Sequence, residues 1–232
     1  MSVLLECRNL TKRFGKVEAV SNLTFTMGSG RIIGLLGPNG SGKTTLIKMI
    51  NGLLTPTKGE LYIQGEKPGA ATHGLVSYLP DKNYLNKRQK VSQVLDFFDD
   101  FYEDFNRRKA ESMLADLQID GSMSLKSMSK GTLEKLQLIL VMSREAKLYV
   151  LDEPIAGVDP AARDYILRTI ISNYNPEATV LISTHLIADI EQVLDDVIFI
   201  KQGKIELFAP VDMVREKEGR SVDALFREVF RC

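Results

Sequence analysis

The sequence predicts an α/β fold built around a mostly parallel sheet, and three features of the 232 residues support this prediction. Short apolar segments of strand length alternate with segments of helical spacing, which is typical of parallel sheets with crossover helices. A glycine-rich stretch, GPNGSGKTT at residues 37–45, lies between one such strand and a helix. Another apolar strand, LYVLDE at residues 148–153, ends in two acidic residues.

The first part of the chain predicts a small antiparallel sheet beside this core. Residues 3–10 have the composition of a strand, and LTFTM at residues 23–27 alternates polar and apolar side chains. We expect residues 11–20 to form a loop that contains Phe14 and leads to the second strand. Phe14 is then either a core or hinge aromatic residue or a ring that stacks on a nucleotide base.

Residues 37–45 match the phosphate-binding pattern of a glycine, four free positions and then Gly-Lys-Ser/Thr. Glycines let the backbone approach an anion closely, and the N–H groups at the following helix start point toward it. We expect Lys43 to reach the β- and γ-phosphates of a nucleotide and Thr44 to hold Mg²⁺. The alternative is a turn that only connects strand to helix. The candidate nucleotide-binding residues are Gly37, Pro38, Asn39, Gly40, Ser41, Gly42, Lys43, Thr44 and Thr45.

A helical region is predicted to interrupt the strands. Strands are expected over residues 60–64 and 74–81, and Pro80 ends the second. Residues 91–105 carry an aromatic stripe at i, i+3, i+4 steps, which predicts a helix. A second helix is expected over residues 107–119. We expect the stripe to be core and its acidic flank to be solvated, with partner docking as the alternative. The stripe comprises Val91, Val94, Leu95, Phe98, Phe101, Tyr102 and Phe105.

Strands and helices alternate again after this region, so the sequence predicts one domain with an inserted part. Residues 1–81 and 146–232 are expected to form the core and its β-subdomain, and residues 82–145 a helical subdomain. Two further strands are expected over residues 147–154 and 178–185, with a helix beginning at 159–160 between them. A helix over 186–194 follows, and then a hairpin over 196–208 that turns at 202–203. A charged helix is expected over 222–230.

Two acidic residues at the carboxyl end of a predicted strand are candidates for catalysis, because open α/β sheets bind ligands at that edge. Asp152 fits a group that holds Mg²⁺ directly or through water, and Glu153 fits a general base for attack on the γ-phosphate. The alternative, a surface pair at a helix start, is disfavoured by the phosphate-binding motif upstream. For His185, which closes another buried strand, a structural role and contact with the γ-phosphate are equally open.

Composition limits the possible functions. The chain has 30 basic and 30 acidic residues and a formal net charge of zero, so no basic nucleic-acid-binding surface is expected. Cys7 and Cys232 have no ligand-like spacing and favour a reducing compartment. No leader and no apolar run near 18 residues is evident, so we expect a cytosolic chain, or one held at a membrane through a partner.

Taken in order, these motifs resemble the ATP-binding subunit of an ABC transporter over essentially the whole chain. The matching features are Phe14, the phosphate-binding loop at 37–45, Asp81 after a strand end, a signature at 128–132, the acidic strand at 148–153, a D-loop at 156–159 and His185. The resemblance implies an ATPase with a RecA-like core, an antiparallel β-subdomain and a helical subdomain. It also implies pairing with separate transmembrane permease subunits, and hence a cytoplasmic position at the inner face of the cell membrane.

The resemblance further implies that two such subunits pair head to tail around two ATP molecules, and we expect a homodimer. Phe14 would stack on adenine, and His185 would contact the γ-phosphate. Ser129 and the Gly131 backbone would contact the ATP of the partner, with Lys130 beside it, and Asp159 would link the two sites.

Two positions depart from the family pattern. Asp81 replaces a glutamine that contacts Mg²⁺ and the attacking water, and it can still ligate a hard cation. Lys130 adds a cation to the signature, which here reads MSKGT. We expect the two charges to offset each other partly in an assembled site. The alternative for Lys130 is a side chain that points to solvent.

The sequence around the D-loop and the signature is most similar to that of bacterial exporter ATPases, which are often encoded beside GntR-type regulators. Two other functions are weighed against export. A nucleotide-controlled binding module would explain Asp81 and the altered signature but is disfavoured by the intact Asp152, Glu153 and His185. A soluble ABC protein acting on DNA or ribosomes is disfavoured by the single ATPase domain, the short helical region and the zero net charge.

Overall fold

The computed structural model describes residues 3–230, apart from the side chains of residues 160–162 and 218. Cys232 lies outside the described residues. Two sheets organise the chain, a three-stranded antiparallel sheet and a six-stranded sheet. This arrangement confirms the predicted α/β fold with a small antiparallel subdomain. Within residues 3–230, no helix is long and apolar enough to cross a membrane.

The small sheet has the strand order β2-β1-β4, with every neighbour antiparallel. Its strands are β1 (Val3–Phe14), β2 (Val17–Gly28) and β4 (Lys58–Ile63). One face of β1 and β2 carries buried apolar side chains, and the other face is polar and exposed. This is the pattern of a sheet packed on a core from one side.

The hairpin of β1 and β2 shows that the loop expected over residues 11–20 was wrong. The ladder continues to the pair of Phe14 with Val17, and Gly15 turns the chain at a φ of 57°. Arg13 and Glu18 form an ion pair across the strands, with Nη2 2.5 Å from Oε2. The polar side chains that indicated a loop therefore lie on exposed strand faces. Phe14 is the last residue of β1.

Within residues 3–230, the six-stranded sheet has the order β5-β6-β7-β3-β8-β9, in which the β8–β9 hairpin is antiparallel and the other neighbours are parallel. The four strands β3, β6, β7 and β8 are almost entirely buried, which explains why they appear in the sequence as continuous apolar runs. The predicted turn at Gln202 and Gly203 is confirmed. The strands are β3 (Ile32–Leu36), β5 (Val76–Leu79), β6 (Leu148–Asp152), β7 (Thr179–Thr184), β8 (Asp196–Lys201) and β9 (Lys204–Pro210).

The helices pack against the two sheets and against one another. They are α1 (Lys43–Ile50), α2 (Val91–Phe101), α3 (Arg107–Asp116), α4 (Lys130–Met142), α5 (Pro160–Asn173), α6 (Ile187–Ile190), α7 (Val211–Glu218) and α8 (Val222–Val229). Helix α7 was not predicted, because it is short and mostly charged. The helix expected over residues 186–194 is only α6 followed by a 3₁₀ turn.

Alternate residues of the central strands face two different cores. On β3, Ile33 and Leu35 join α1 and the small sheet in one apolar cluster. Ile32 and Leu36 join the helices on the opposite face. The phosphate-binding strand is thus packed from both sides, which holds its carboxyl end rigidly.

The aromatic helix ends earlier than its spacing predicts. The last helical residue of α2 is Phe101, and Tyr102 has an extended backbone. Phe98 and Phe105 are buried as expected, with ring centroids 5.5 Å apart. The assignment of Phe101 to the core was wrong, because its side chain is 63% exposed and stacks on the exposed ring of Phe97 at 5.7 Å.

A buried arginine joins the helical region to the central sheet. Arg144 follows α4, is 3% exposed and donates from Nε to Asp104 at 3.0 Å. It also donates to the carbonyl oxygens of Val76 and His73, each at 2.8 Å, and lies over the ring of Tyr102. The division into core and helical subdomain stays a prediction, but Arg144 marks where residues of the two predicted parts meet.

Candidate functional site

The phosphate-binding loop runs from the end of β3 to the start of α1, and its backbone leaves no room for side chains at two glycines. A Cβ on Gly37 would lie 2.4 Å from the carbonyl oxygen of Ile200. A Cβ on Gly42 would lie 2.4 Å from the carbonyl oxygen of Ala19, and Gly42 has a φ of 110°. Because both neighbours are backbone atoms, neither clash can be relieved by a rotamer change. The residues that follow present the first N–H groups of α1, which have no partner within the helix.

Lys43 lies inside the curve of this loop. Its Nζ donates to the carbonyl oxygen of Gly37 at 2.7 Å and to that of Pro38 at 3.3 Å. It is also 3.8 Å from Oε1 of Glu153. Burial lowers the pKa of Lys43, and the nearby carboxylates of Glu153 and Asp152 oppose that shift. The ammonium group is therefore held between two carbonyl oxygens of the loop and the carboxylate of Glu153.

Asp152 ends β6 beside the loop, and its two carboxylate oxygens have different surroundings. Oδ1 accepts a hydrogen bond from Oγ of Ser183 at 2.5 Å and lies 3.5 Å from Oγ1 of Thr44. Oδ2 is buried and has no hydrogen-bond partner among the described residues. Burial raises the pKa of Asp152, which the two hydroxyl groups oppose and the charges of Asp81 and Glu153 reinforce.

This arrangement fits Mg²⁺. An unpartnered carboxylate oxygen beside a threonine hydroxyl is the donor set that a hard cation prefers, and Mg²⁺ usually takes one or two carboxylates and completes its shell with phosphate and water. Among the described residues there is no cluster of three or more acidic, histidine or cysteine side chains that would hold a metal alone. Thr44 and Asp152 are therefore the residues that would share a metal with a bound polyphosphate.

Glu153 lies between two other candidate residues, His185 and Lys43. Its Oε2 is 3.0 Å from Nδ1 of His185, and its Oε1 faces Lys43. The backbone of Glu153 adopts a φ of 52°, and its N–H donates to the carbonyl oxygen of Ser183 at 2.9 Å. A left-handed non-glycine residue costs energy, and such positions cluster at functional sites. The turn directs the carboxylate out of the strand toward the loop.

A cavity of about 620 Å³ opens over these residues, and seven of the candidate site residues line it. They are Asn39, Asp81, Ser129, Lys130, Asp152, Glu153 and His185. A second cavity of about 390 Å³ lies over the phosphate-binding loop, with Phe14, Asp81 and residues 39–45 in its wall. Phe14 is 48% exposed, and Nζ of Lys12 lies over its ring. The two cavities share Asn39, Asp81 and Glu153.

The signature lies at the start of α4. Ser129 caps this helix, since its Oγ accepts from the N–H of Thr132 at 3.1 Å. No atom lies within 4 Å of where a Cβ on Gly131 would be, so this backbone is open.

The side chain of Lys130 is 78% exposed, pairs with Glu134 at 3.6 Å and lies beside Gly157 of the D-loop. Exposed Asp159 precedes α5, where its carbonyl oxygen accepts from the N–H of Arg163. Gly131 and Asp159 line neither cavity.

Ser183 and Arg144 were not predicted as candidate residues. Ser183 is a polar residue within the otherwise apolar strand that leads to His185, and that position is the signal that would have identified it. Arg144 carries no comparable local signal, because its partners lie between 40 and 71 residues away along the chain.

Comparison with known proteins gives a consistent result. The family model described as ABC transporter matches residues 20–156. The chain is 30% identical to the uncharacterized ABC transporter ATP-binding protein MJ1023 of Methanocaldococcus jannaschii, over 94% of this chain and 81% of that protein. It is 29% identical to the SkfA peptide export ATP-binding protein SkfE of Bacillus subtilis, over 89% of this chain and 90% of that one.

The fold also matches solved structures. A structure of the ATP-binding subunit of an ABC transporter aligns with a TM-score of 0.86 and 26% sequence identity. The alignment covers 98% of this chain and 100% of that chain. The similarity therefore extends over both sheets and the helical region between their strands.

Proposed function

This chain belongs to the ABC transporter family as an ATP-binding and ATP-hydrolysing subunit, and from that premise we propose that two copies of it power export through separate permease subunits. Each copy would bind MgATP at the loop of residues 37–45. The permease subunits would hold the ATPase at the cytoplasmic face of the membrane. Similarity to SkfE, a peptide export protein by name, supports the export direction.

The catalytic part of this proposal depends on one observation. The carboxylate of Glu153 contacts both Lys43 and His185 at the phosphate-binding loop. Three strands, β3, β6 and β7, deliver these side chains to one edge of the sheet. General base catalysis requires a carboxylate within hydrogen-bond reach of the attacking water, and Glu153 projects into the cavity where that water would lie. Phosphoryl transfer depends mostly on such positioning and on charge stabilisation.

Each residue has a separate task in this mechanism. Lys43 and the loop N–H groups bind the phosphate oxygens, and Phe14 offers its exposed ring to the adenine. Glu153 orients water and accepts its proton, while His185 holds the carboxylate of Glu153 and faces the γ-phosphate. Thr44 and Asp152 would hold Mg²⁺, with Asp81 as a third candidate ligand, and bound Mg²⁺ would neutralise phosphate charge.

The exposed signature supports pairing of two subunits. Ser129 caps α4, and Lys130 and Gly131 are its first two residues, at the helix end whose N–H groups favour an anion. The open backbone at Gly131 would let a phosphate of the partner's ATP approach closely. Asp159, exposed at the start of α5, would then link the two sites.

An apolar groove supports docking of a permease subunit. It has a volume of about 630 Å³ and lies between α2 and the ends of α1 and β5. The exposed side chains of Leu53, Phe97 and Phe101 line it, and such a patch marks an interaction site. Asp81 lines this groove as well as both cavities of the ATP site. A permease segment in the groove would therefore contact the loop that also faces the nucleotide.

Light scattering of the purified Glu153→Gln variant, with and without MgATP, tests this proposal. We expect a shift from monomer to dimer on addition of MgATP, because the bound nucleotide would complete two sites at once. A monomer that binds ATP but does not dimerise would contradict the homodimer. A protein that does not bind ATP would contradict the assignment of the phosphate-binding loop.

A further inference from the structure

A serine lies next to the candidate metal-binding residue in the central sheet. Ser183 on β7 is the register partner of Asp152 on β6 in a parallel ladder. Side chains of directly paired residues point to the same face of a sheet. Ser183 is fully buried and Asp152 is 1% exposed, so water does not compete for the contact between them.

The hydroxyl of Ser183 separates the roles of the two carboxylate oxygens. Its Oγ is 2.5 Å from Oδ1 of Asp152, whereas Thr44, the other hydroxyl nearby, is 3.5 Å from the same oxygen. Oδ2 is buried without a hydrogen-bond partner in the described part of the chain. With Oδ1 held by Ser183, rotation of the carboxylate would break a short bond to a buried acceptor. The geometry leaves Oδ2 as the oxygen free for another ligand.

We propose that Ser183 is a positioning residue that orients Asp152 so that its Oδ2 faces Mg²⁺. This inference rests on the proposed function, in which Asp152 holds the metal. Hydrogen bonds to metal-binding carboxylates fix their orientation, and removal of the donor typically lowers metal affinity by about 10- to 100-fold. The backbone carbonyl of Ser183 also accepts from the N–H of Glu153, and a change of the Ser183 side chain leaves that bond in place.

A second buried serine shows what a purely structural role involves. Ser77 on β5 is 1% exposed, and its Oγ donates to the carbonyl oxygen of Val141 at 2.9 Å. It lies in the same sheet and loses one hydrogen bond when it is replaced by alanine, but it does not contact Asp152. Ser77→Ala is therefore a matched control for Ser183→Ala.

The experiment measures the affinity of AMP-PNP by calorimetry, once with saturating Mg²⁺ and once in EDTA. The dissociation constant in EDTA divided by that in Mg²⁺ is the factor by which the metal strengthens nucleotide binding. We expect Ser183→Ala to lower this ratio about tenfold while the affinity in EDTA stays at the wild-type value. Ser183→Thr, which keeps the hydroxyl, should restore the ratio. Ser183→Cys, similar in size but a weak donor, should lower it like alanine without leaving a cavity.

The outcomes distinguish this inference from the proposed function. A wild-type ratio in both Ser183→Ala and Ser183→Cys would overturn the positioning role, as would an equal loss in Ser77→Ala. The Asp152→Ala variant tests the metal site itself. If Asp152→Ala keeps the wild-type ratio, the proposed metal site is wrong; if only Asp152→Ala loses it, the role of Ser183 alone is wrong.

Discussion

Nδ1 of His185 lies 3.0 Å from Oε2 of Glu153, so the first residue after β7 directly contacts the first residue after β6. The contact is possible because β6 and β7 are parallel neighbours and because Glu153 turns out of its strand at a φ of 52°. Both side chains line the cavity beside the phosphate-binding loop. The two residues are therefore expected to act as a unit.

Replacement of His185 tests this coupling. We expect His185→Ala to lower kcat at least about tenfold, since the carboxylate of Glu153 loses the group that orients it, and to have little further effect in a Glu153→Gln background. Steady-state ATPase measurements of both single variants and the double variant provide the comparison. His73→Ala, a change at the other histidine, should keep the wild-type rate. Multiplicative effects of the two changes would show that the residues act independently.

Glu153 itself is expected to set the rate of hydrolysis. Glu153→Gln should reduce turnover at least about a hundredfold, roughly 2.7 kcal/mol of activation free energy, because the amide cannot accept the proton of water. Equilibrium binding of ATP should be unchanged. The control is Glu177→Gln, which alters an exposed glutamate outside both cavities. Wild-type turnover of Glu153→Gln would remove Glu153 from the role of general base.

The charges of Asp81 and Lys130 are expected to offset each other in an assembled dimer, where each ATP would face one of each. Lys130→Gly should therefore weaken ATP-driven dimerisation much more in the wild-type background than in an Asp81→Gln background. Sedimentation with MgATP measures the dimerisation constants. Lys126→Gly, at an exposed lysine of the same cavity, should cause an equal loss in both backgrounds. Additive losses for Lys130→Gly would contradict the coupling.

Arg144 is expected to contribute strongly to stability. Its guanidinium is buried among Asp104 and two backbone carbonyls, so Arg144→Leu leaves these acceptors without a donor. We expect a loss of about 3 kcal/mol in the free energy of unfolding, measured by urea denaturation. Exposed Arg108 is the control, and Arg108→Leu should change stability by less than about 0.5 kcal/mol. Similar values for the two variants would show that the Arg144 contacts do not hold the fold together.

The raised pKa of Asp152 predicts a pH dependence of stability. Because burial raises the pKa of Asp152 in the folded chain, the unfolded chain loses this proton first as pH increases. The contribution of Asp152 to stability therefore decreases between the ordinary pKa of an aspartate and the raised value, and the loss persists at neutral pH. Without metal, Asp152→Asn should therefore be more stable than the wild type at pH 7, as measured by urea denaturation. It should also abolish any stabilisation by MgATP beyond that of ATP alone.

The outcome at low pH is the control for this last prediction. Below the ordinary pKa of aspartate both chains carry a neutral group at position 152, so the advantage of Asp152→Asn over the wild type should be smaller there than at pH 7. A difference that does not change with pH would show that the charge of Asp152 is not its cause.

Much of the fold was predictable from local sequence. Continuous apolar runs predicted the buried strands β3, β6, β7 and β8, and the loop of residues 37–45 was placed correctly between β3 and α1. The hairpin at Gln202 and Gly203 was also predicted. The errors have two causes. Charged residues on the exposed faces of β1 and β2 indicated a loop, and the aromatic spacing that continues to Phe105 indicated a helix longer than α2.

Groups that are close along the chain can be identified from local sequence: the loop glycines, Lys43 and Thr44 at a helix start, and two acids at a strand end. The contacts between distant groups depend on the tertiary structure. Ser183 reaches Asp152 across 31 residues because the register of β6 and β7 aligns them, and Arg144 reaches Val76 across 68. Local patterns follow from steric and periodic rules that operate within a few residues. Such long-range contacts depend on strand order and register, which the packing of the whole core selects.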